Sequence, residues 1–144
     1  MHAHVVARRI AGYSHEIELG DDREIVVDEP ASDGGTDTGP RPSQLLASSL
    51  AGCTAITIEL YAKRKGWDLP GLEVAVDMSS ESEDVPPHAV PTHFTVEVTL
   101  PAGLDDEQRR KLMVIAEKCP VHKLLEHGAE IRRASCRERV YGLV

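Results

Sequence analysis

Three thiols and seven imidazoles carry most of the chemistry open to this 144-residue chain. Cys53 sits in Leu50-Ala51-Gly52-Cys53-Thr54-Ala55, among small and apolar residues where a free cysteine ordinarily serves as packing. On a helix its neighbours three and four positions away are Ser49, Leu50, Ile56 and Thr57, none of them a cation or a base. A reactive thiolate at Cys53 therefore needs help from another segment of the chain. Cys119 is placed differently, because it precedes Pro120, a residue suited to the first position of a helix. As the N-cap of that helix, Cys119 meets backbone N–H groups and the positive end of the dipole, with Lys118, Lys123 and His122 close in sequence. Each of these features lowers a thiol pKa, so local physics makes Cys119 the more acidic of the two. Cys136 lies in a basic tail and reads as a bystander.

The histidines, His2, His4, His15, His88, His93, His122 and His127, are scattered. A zinc site wants at least three convergent ligands, and neither CxxC nor HExxH is present. Cys119 and His122 supply two donors, but no second pair is evident, so no metal is expected. GxSxG, P-loop and GxGxxG patterns are also missing, which leaves no sequence support for a hydrolase elbow or a nucleotide cradle, and no bound cofactor is expected.

Composition narrows the partners. Sixteen Lys and Arg against 24 Asp and Glu give a formal charge of −8, and nucleic acid or an anionic membrane surface calls for the opposite sign. The aromatic residues are Tyr13, Tyr61, Trp67, Phe94 and Tyr141, so the core must be aliphatic. An odd number of widely spaced cysteines and no apolar leader fit a cytoplasmic protein with reduced thiols. The uncharged stretch 42–58 includes Ser43, Gln44, Ser48, Ser49, Thr54 and Thr57, which reads as too short and too polar for a membrane span.

The elements that must position the thiols follow from patterning. Residues 4–10, 15–19 and 24–27 read as an antiparallel meander, with Gly20-Asp21-Asp22-Arg23 as a turn. Residues 28–42, rich in Gly, Pro and short polar side chains, form a loop long enough to suggest a functional element. From Ser43 to Lys65 a long helix is expected, about 34 Å by its rise per residue, closed by Gly66 after Lys63, Arg64 and Lys65. Its first half is apolar nearly all round, which predicts a central, buried helix. Residues 72–78 and 94–100 alternate as half-buried strands, joined by an acidic, proline-bearing connection at 79–91. Asp105 and Gln108 form a capping-box pattern for an amphipathic helix to Lys118. The Cys119-Pro120 step ends it and starts a short helix that stops at Gly128. Residues 129–133 are expected to make a last strand. One domain is expected over residues 1–133, followed by a tail at 134–144.

Taken together, these segments resemble the OsmC/Ohr family, the osmotically inducible and organic hydroperoxide resistance proteins. The diagnostic pieces are Gly39-Pro40-x-Pro42-x-x-Leu45-Leu46-Ala47 running to Cys53, and Cys119-Pro120-Val121-His122-Lys123. The resemblance implies an α+β fold with antiparallel sheets wrapped around long central helices in an intertwined homodimer. It also implies that Cys53 is the peroxidatic thiol, reducing an organic hydroperoxide and becoming a sulfenic acid. Cys119 is then the resolving thiol, and an external dithiol or lipoyl-type reductant reopens the disulfide. The peroxidases of the family activate the helix cysteine with an arginine and a glutamate, where this chain carries Tyr13 and Ser43. Arg41, on the loop entering the helix, is the candidate substitute, and His122 a further candidate. Two rivals remain: a non-enzymatic dimer of the same fold that binds a small apolar ligand or senses redox state, and a zinc protein.

Overall fold

The computed structural model describes residues 2–81 and 91–132. The connection at 82–90 and the tail with Cys136 lie outside the described residues. The chain begins with three antiparallel strands in the order β1 (Val6–Ala11), β2 (Ser14–Gly20) and β3 (Arg23–Val27), the expected meander. Asp21 and Asp22 both take left-handed backbone, φ 53° and 58°, which closes the β2–β3 turn with residues that tolerate this geometry better than most.

The loop that follows is ordered by one carboxylate. Asp28 is only 2% exposed. It accepts from the N–H of Glu29 at 2.8 Å, from the N–H and hydroxyl of Thr36 at 3.1 and 2.5 Å, and from the N–H and hydroxyl of Thr38 at 3.2 and 2.8 Å. The Thr36 hydroxyl leads in holding this carboxyl far below the usual carboxylate range, against the opposing effect of burial. Two glycines let the loop close on itself. A Cβ on Gly35 would stand 1.8 Å from the Glu29 carbonyl oxygen, and one on Gly39 would stand 2.2 Å from that of Val26.

Helix α1 (Pro42–Lys65) starts with Pro42 at its first position, and the Gln44 side-chain oxygen accepts from the N–H of Arg41 at 2.9 Å. It ends at Gly66, φ 72°, whose N–H donates to the carbonyls of Ala62 and Lys63. The expectation of burial on nearly all sides is corrected. Within the chain α1 buries one stripe at four-residue spacing, Leu50, Thr54, Ile58 and Ala62, while Leu46, Ile56 and Leu60 are 42%, 61% and 54% exposed. By length and composition alone α1 also passes for a membrane span, with mean hydropathy 1.4, contrary to the reading from its polar residues. Core helices pass the same test, and this one packs on β4, α2 and α3.

Strands β4 (Glu73–Ser80) and β5 (Thr92–Thr99) pair antiparallel, setting Val74 opposite Val98, Val76 opposite Val96 and Met78 opposite Phe94. The capping box at Asp105 and Gln108 forms as expected and opens α2 (Asp106–Ala116). Ile58, Ala62, Leu69, Leu112 and Ala116 make the core, joined by Trp67, which stands edge-on to Tyr61 at 5.9 Å. Helix α3 (Pro120–His127) follows, and residues 129–132 are irregular rather than a strand. Among the described residues they have no neighbouring strand to bond with, and Ile131 is 94% exposed.

Asp28 yields a pH-dependent prediction. Its folded-state pKa is depressed, so its stabilisation is complete above the unfolded value of about 4 and is lost as pH falls toward the folded value. Asp28→Asn should therefore lower the thermal midpoint at pH 7 by several degrees, with the gap to the parent narrowing in acid. An unchanged midpoint at pH 7 would refute the anchoring role.

Candidate active site

The two thiols, 66 positions apart in sequence, meet where the middle of α1 crosses the first turn of α3. Cys119 is the N-cap of α3, as its sequence context implies, and its Sγ accepts from the N–H of His122 at 3.5 Å. It is fully buried, whereas Cys53 is half-buried, and both are free thiols. Each thiol influences the ionisation of the other.

The environment pushes the two thiols apart in acidity. Burial is the strongest influence on Cys119 and opposes its ionisation. The N–H of His122, which donates to the sulfur, and the neighbouring Cys53 thiol, Thr54 hydroxyl and Val121 N–H together outweigh it and hold Cys119 below the usual thiol range. Lys118 and Lys123 are not among the leading causes, so the donors of the helix terminus do what the sequence assigned partly to nearby cations. For Cys53 burial again comes first. The hydrogen bond and charge of Cys119 add to it, and together they raise Cys53 above the usual range against the N–H of Val121 and the Thr57 hydroxyl. The two shifts run in opposite directions, so Cys119 is the more acidic thiol and the more accessible Cys53 the less acidic one.

Arg41 does not reach this pair within the chain. Its guanidinium is held by Asp33 at 2.6 Å and Glu29 at 3.4 Å. It also precedes Cys53 by three helical turns, about 18 Å of rise. Tyr13 and Ser43 are equally remote in role: Tyr13 is 58% exposed with its ring beside Gly34, and Ser43 lies exposed in the first turn of α1. His122 does belong to the site, though through two different parts. Its backbone supports Cys119, while its imidazole faces Glu126 at 3.9 Å and lines two adjoining clefts.

Those clefts, about 320 and 240 Å³, share Phe94, Val96 and His122 and are floored by Leu50, Val98 and Thr54. Apolar walls with an imidazole and the carboxylates of Glu117 and Glu126 at the edges suit a small organic molecule better than an ion. These two clefts approach the thiols through Thr54 and His122, whereas the largest cleft among the described residues, about 580 Å³, lies elsewhere, along Ile56, Leu60, Trp67 and Leu72. Among the described residues no three His, Cys, Asp or Glu side chains gather as metal ligands.

Sequence reasoning missed Thr54 and Val121. Thr54 follows Cys53 directly and had been counted only among the polar residues of the helix. Val121 enters solely through its N–H, which the capping geometry of Pro120 could have indicated.

The architecture has solved counterparts. An OsmC-like protein from Mycoplasma pneumoniae superposes with TM-score 0.67 at 20% identity, over 88% of each chain. The organic hydroperoxide resistance protein OsmC from Legionella pneumophila gives 0.63 at 20% identity, over 87% of this chain and 89% of that one. The organic hydroperoxide resistance protein OhrB of Bacillus subtilis gives 0.53 at 28% identity, over 85% and 89%. A search among curated proteins finds no match. The family model for OsmC-like protein matches residues 35–133, a span that runs from the Asp28-anchored loop through Cys53 to the end of α3 and includes both thiols. By fold and by sequence, the chain belongs to the OsmC-like protein family.

Proposed function

We propose that the chain is a thiol peroxidase that reduces organic hydroperoxides through Cys53 and Cys119. The observation that carries this reading is the pairing itself: a half-buried thiol next to a fully buried, more acidic one, near apolar clefts. The similarity to proteins described as organic hydroperoxide resistance proteins supports it. Cys53 sulfur attacks one oxygen of the hydroperoxide, an S–O bond forms as the O–O bond breaks, and the alcohol departs. Cys119 thiolate then attacks the sulfur of the sulfenic acid, the S–O bond breaks as the disulfide forms, and the departing hydroxide takes up a proton from the bulk solution to leave as water. An external dithiol or lipoyl-type reductant returns both sulfurs to the reduced state. Residence in the cytoplasm, where thiols are kept reduced, belongs to the same proposal.

The proposed working unit is a homodimer. Helix α1 exposes Ile56 and Leu60 along the largest cleft, while Val114 on α2 is 50% exposed. An exposed apolar surface of this kind marks an interaction face, and a second copy presenting the same helix is the complementary partner. Any contact between Arg41 and a Cys53 thiol has to come from such a second copy.

Reduced protein treated with cumene hydroperoxide should lose two hydrogens by intact mass, in a product that both Cys53→Ser and Cys119→Ser abolish. Cys119→Ser should instead accumulate the sulfenic acid, one oxygen heavier. Cumene hydroperoxide should also react faster than hydrogen peroxide. No reaction with either oxidant, or a disulfide involving Cys136, would favour the non-enzymatic module.

Sedimentation should show a dimer for the parent chain and a shift toward monomer for Ile56→Glu with Leu60→Glu. A parent that sediments as a monomer would remove the dimer from the proposal.

A further inference from the structure

The hydroxyl of Thr54 is out of keeping with its helix. Ser48, Ser49 and Thr57 turn their hydroxyls back onto α1, donating to the carbonyls of Gln44, Leu46 and Cys53 at 2.6, 2.7 and 2.7 Å. This is the ordinary resting place of a helical hydroxyl. Thr54 Oγ1 does not do so. Thr54 is 1% exposed, and among the described residues its Oγ1 has no hydrogen-bond partner. Leaving such a donor unsatisfied in the interior is unfavourable, so an orphan of this kind calls for an explanation. Its neighbour across the helix contact is Cys119 Sγ, whose ionisation the hydroxyl favours. A neutral thiol is a poor acceptor, whereas a thiolate is a strong one.

We propose that Thr54 is a positioning residue whose hydroxyl completes a cradle for the Cys119 thiolate, together with the His122 N–H and the Cys53 thiol. The cradled thiolate is the base that activates Cys53. This rests on the peroxidase reading for its chemical step, while the cradle itself does not. The step balances. The Cys53 proton passes to Cys119 sulfur, Cys53 thiolate attacks the hydroperoxide oxygen, and the alkoxide leaving group recovers the proton from Cys119. The products are the Cys53 sulfenic acid, an alcohol and a Cys119 thiolate ready to resolve. Cys119 thereby supplies the activation for which the chain has Tyr13 and Ser43 in place of the family's arginine and glutamate.

The charged and titratable groups around the pair are Cys53 from α1, Glu117 and Lys118 at the end of α2, and His122, Lys123 and Glu126 from α3. From β5 the side chains Phe94, Val96 and Val98 bring none, while His93 lines the cleft it shares with His122 and Glu126. Lys118 and Lys123 are ruled out as the main stabilisers by the causes already given. The hydroxyl is therefore a separable contributor.

The test is the ultraviolet thiolate titration of the reduced protein in a Cys136→Ser background. Thr54→Val should raise the midpoint of the first thiolate by about one pH unit or more, the tenfold scale of one hydrogen bond to an ionised acceptor. Thr54→Ser should restore it, and Thr54→Ala should reproduce the valine result if the valine chain fails to fold. The pH profile of Cys53 oxidation by cumene hydroperoxide should move by the same amount as the titration. A midpoint unchanged in Thr54→Val, or in Thr54→Ala should that variant be needed, would overturn the proposal even if peroxidase activity is found. A shifted midpoint in a chain that does not react with peroxide would uphold the cradle and reject the peroxidase reading.

Discussion

Cysteine ionisation inside a protein is a contest between desolvation and hydrogen bonding, and the crossing of α1 with the first turn of α3 decides that contest for both thiols. A buried thiol in apolar surroundings stays protonated. Here the chain places the unsatisfied N–H groups of a helix start directly over the middle of another helix, so the sulfur that is most buried is also the one that best holds charge. Cys53 gains from the arrangement only indirectly. It contributes its own proton to the cradle and becomes reactive through its neighbour. The rest of the architecture can be understood as holding that crossing in place. The β4–β5 hairpin and α2 fix one side of α1 through Ile58, Ala62, Leu112 and Ala116, and Pro120 fixes where α3 begins.

A second constraint is what one chain leaves uncovered. The 24-residue helix α1 buries only four side chains within the chain. Its mean hydropathy suffices for a membrane, yet Lys63, Arg64 and Lys65 close it and its buried stripe packs on a hairpin and two helices. The loop that leads into it is, by contrast, complete within the chain, because the Asp28 carboxylate gathers five donors from residues 29–38 and Arg41 is tied back to Glu29 and Asp33. Order at the loop contrasts with exposure at the helix, where Leu46, Ile56 and Leu60 stay uncovered by the chain itself.

Much of this was legible in the residues. Proline after Cys119, the Asp105–Gln108 capping pair, the alternation in both hairpin strands and the Gly66 stop are local signals with local causes, and each element formed where it was expected. The acidity order of the thiols was legible for the same reason, since an N-cap is a sequence feature. What escaped depends on contacts between segments. Asp28 is, in the sequence, only the first residue of a polar loop; its role as anchor needs Thr36 and Thr38, eight and ten positions on, to fold onto it. Thr54 was indistinguishable from Thr57 until one hydroxyl turned back to its helix and the other did not. The expected strand at 129–133 carried the right residue types but had no strand to pair with among the described residues. Burial of α1 was overestimated because an apolar helix reads the same whether its own chain or a second copy covers it.

The central claim is that Cys119, not Cys53, holds the resting negative charge of a proton-sharing pair. The most direct measurement is the pH titration of thiolate absorbance in three reduced chains that all carry Cys136→Ser: the parent pair, Cys53→Ser and Cys119→Ser. The expected result is a low-midpoint thiolate in the parent that survives in Cys53→Ser and disappears in Cys119→Ser, leaving Cys53 to titrate as an ordinary or raised thiol. Persistence of the low-midpoint thiolate in Cys119→Ser would contradict it, because the charge would then belong to Cys53.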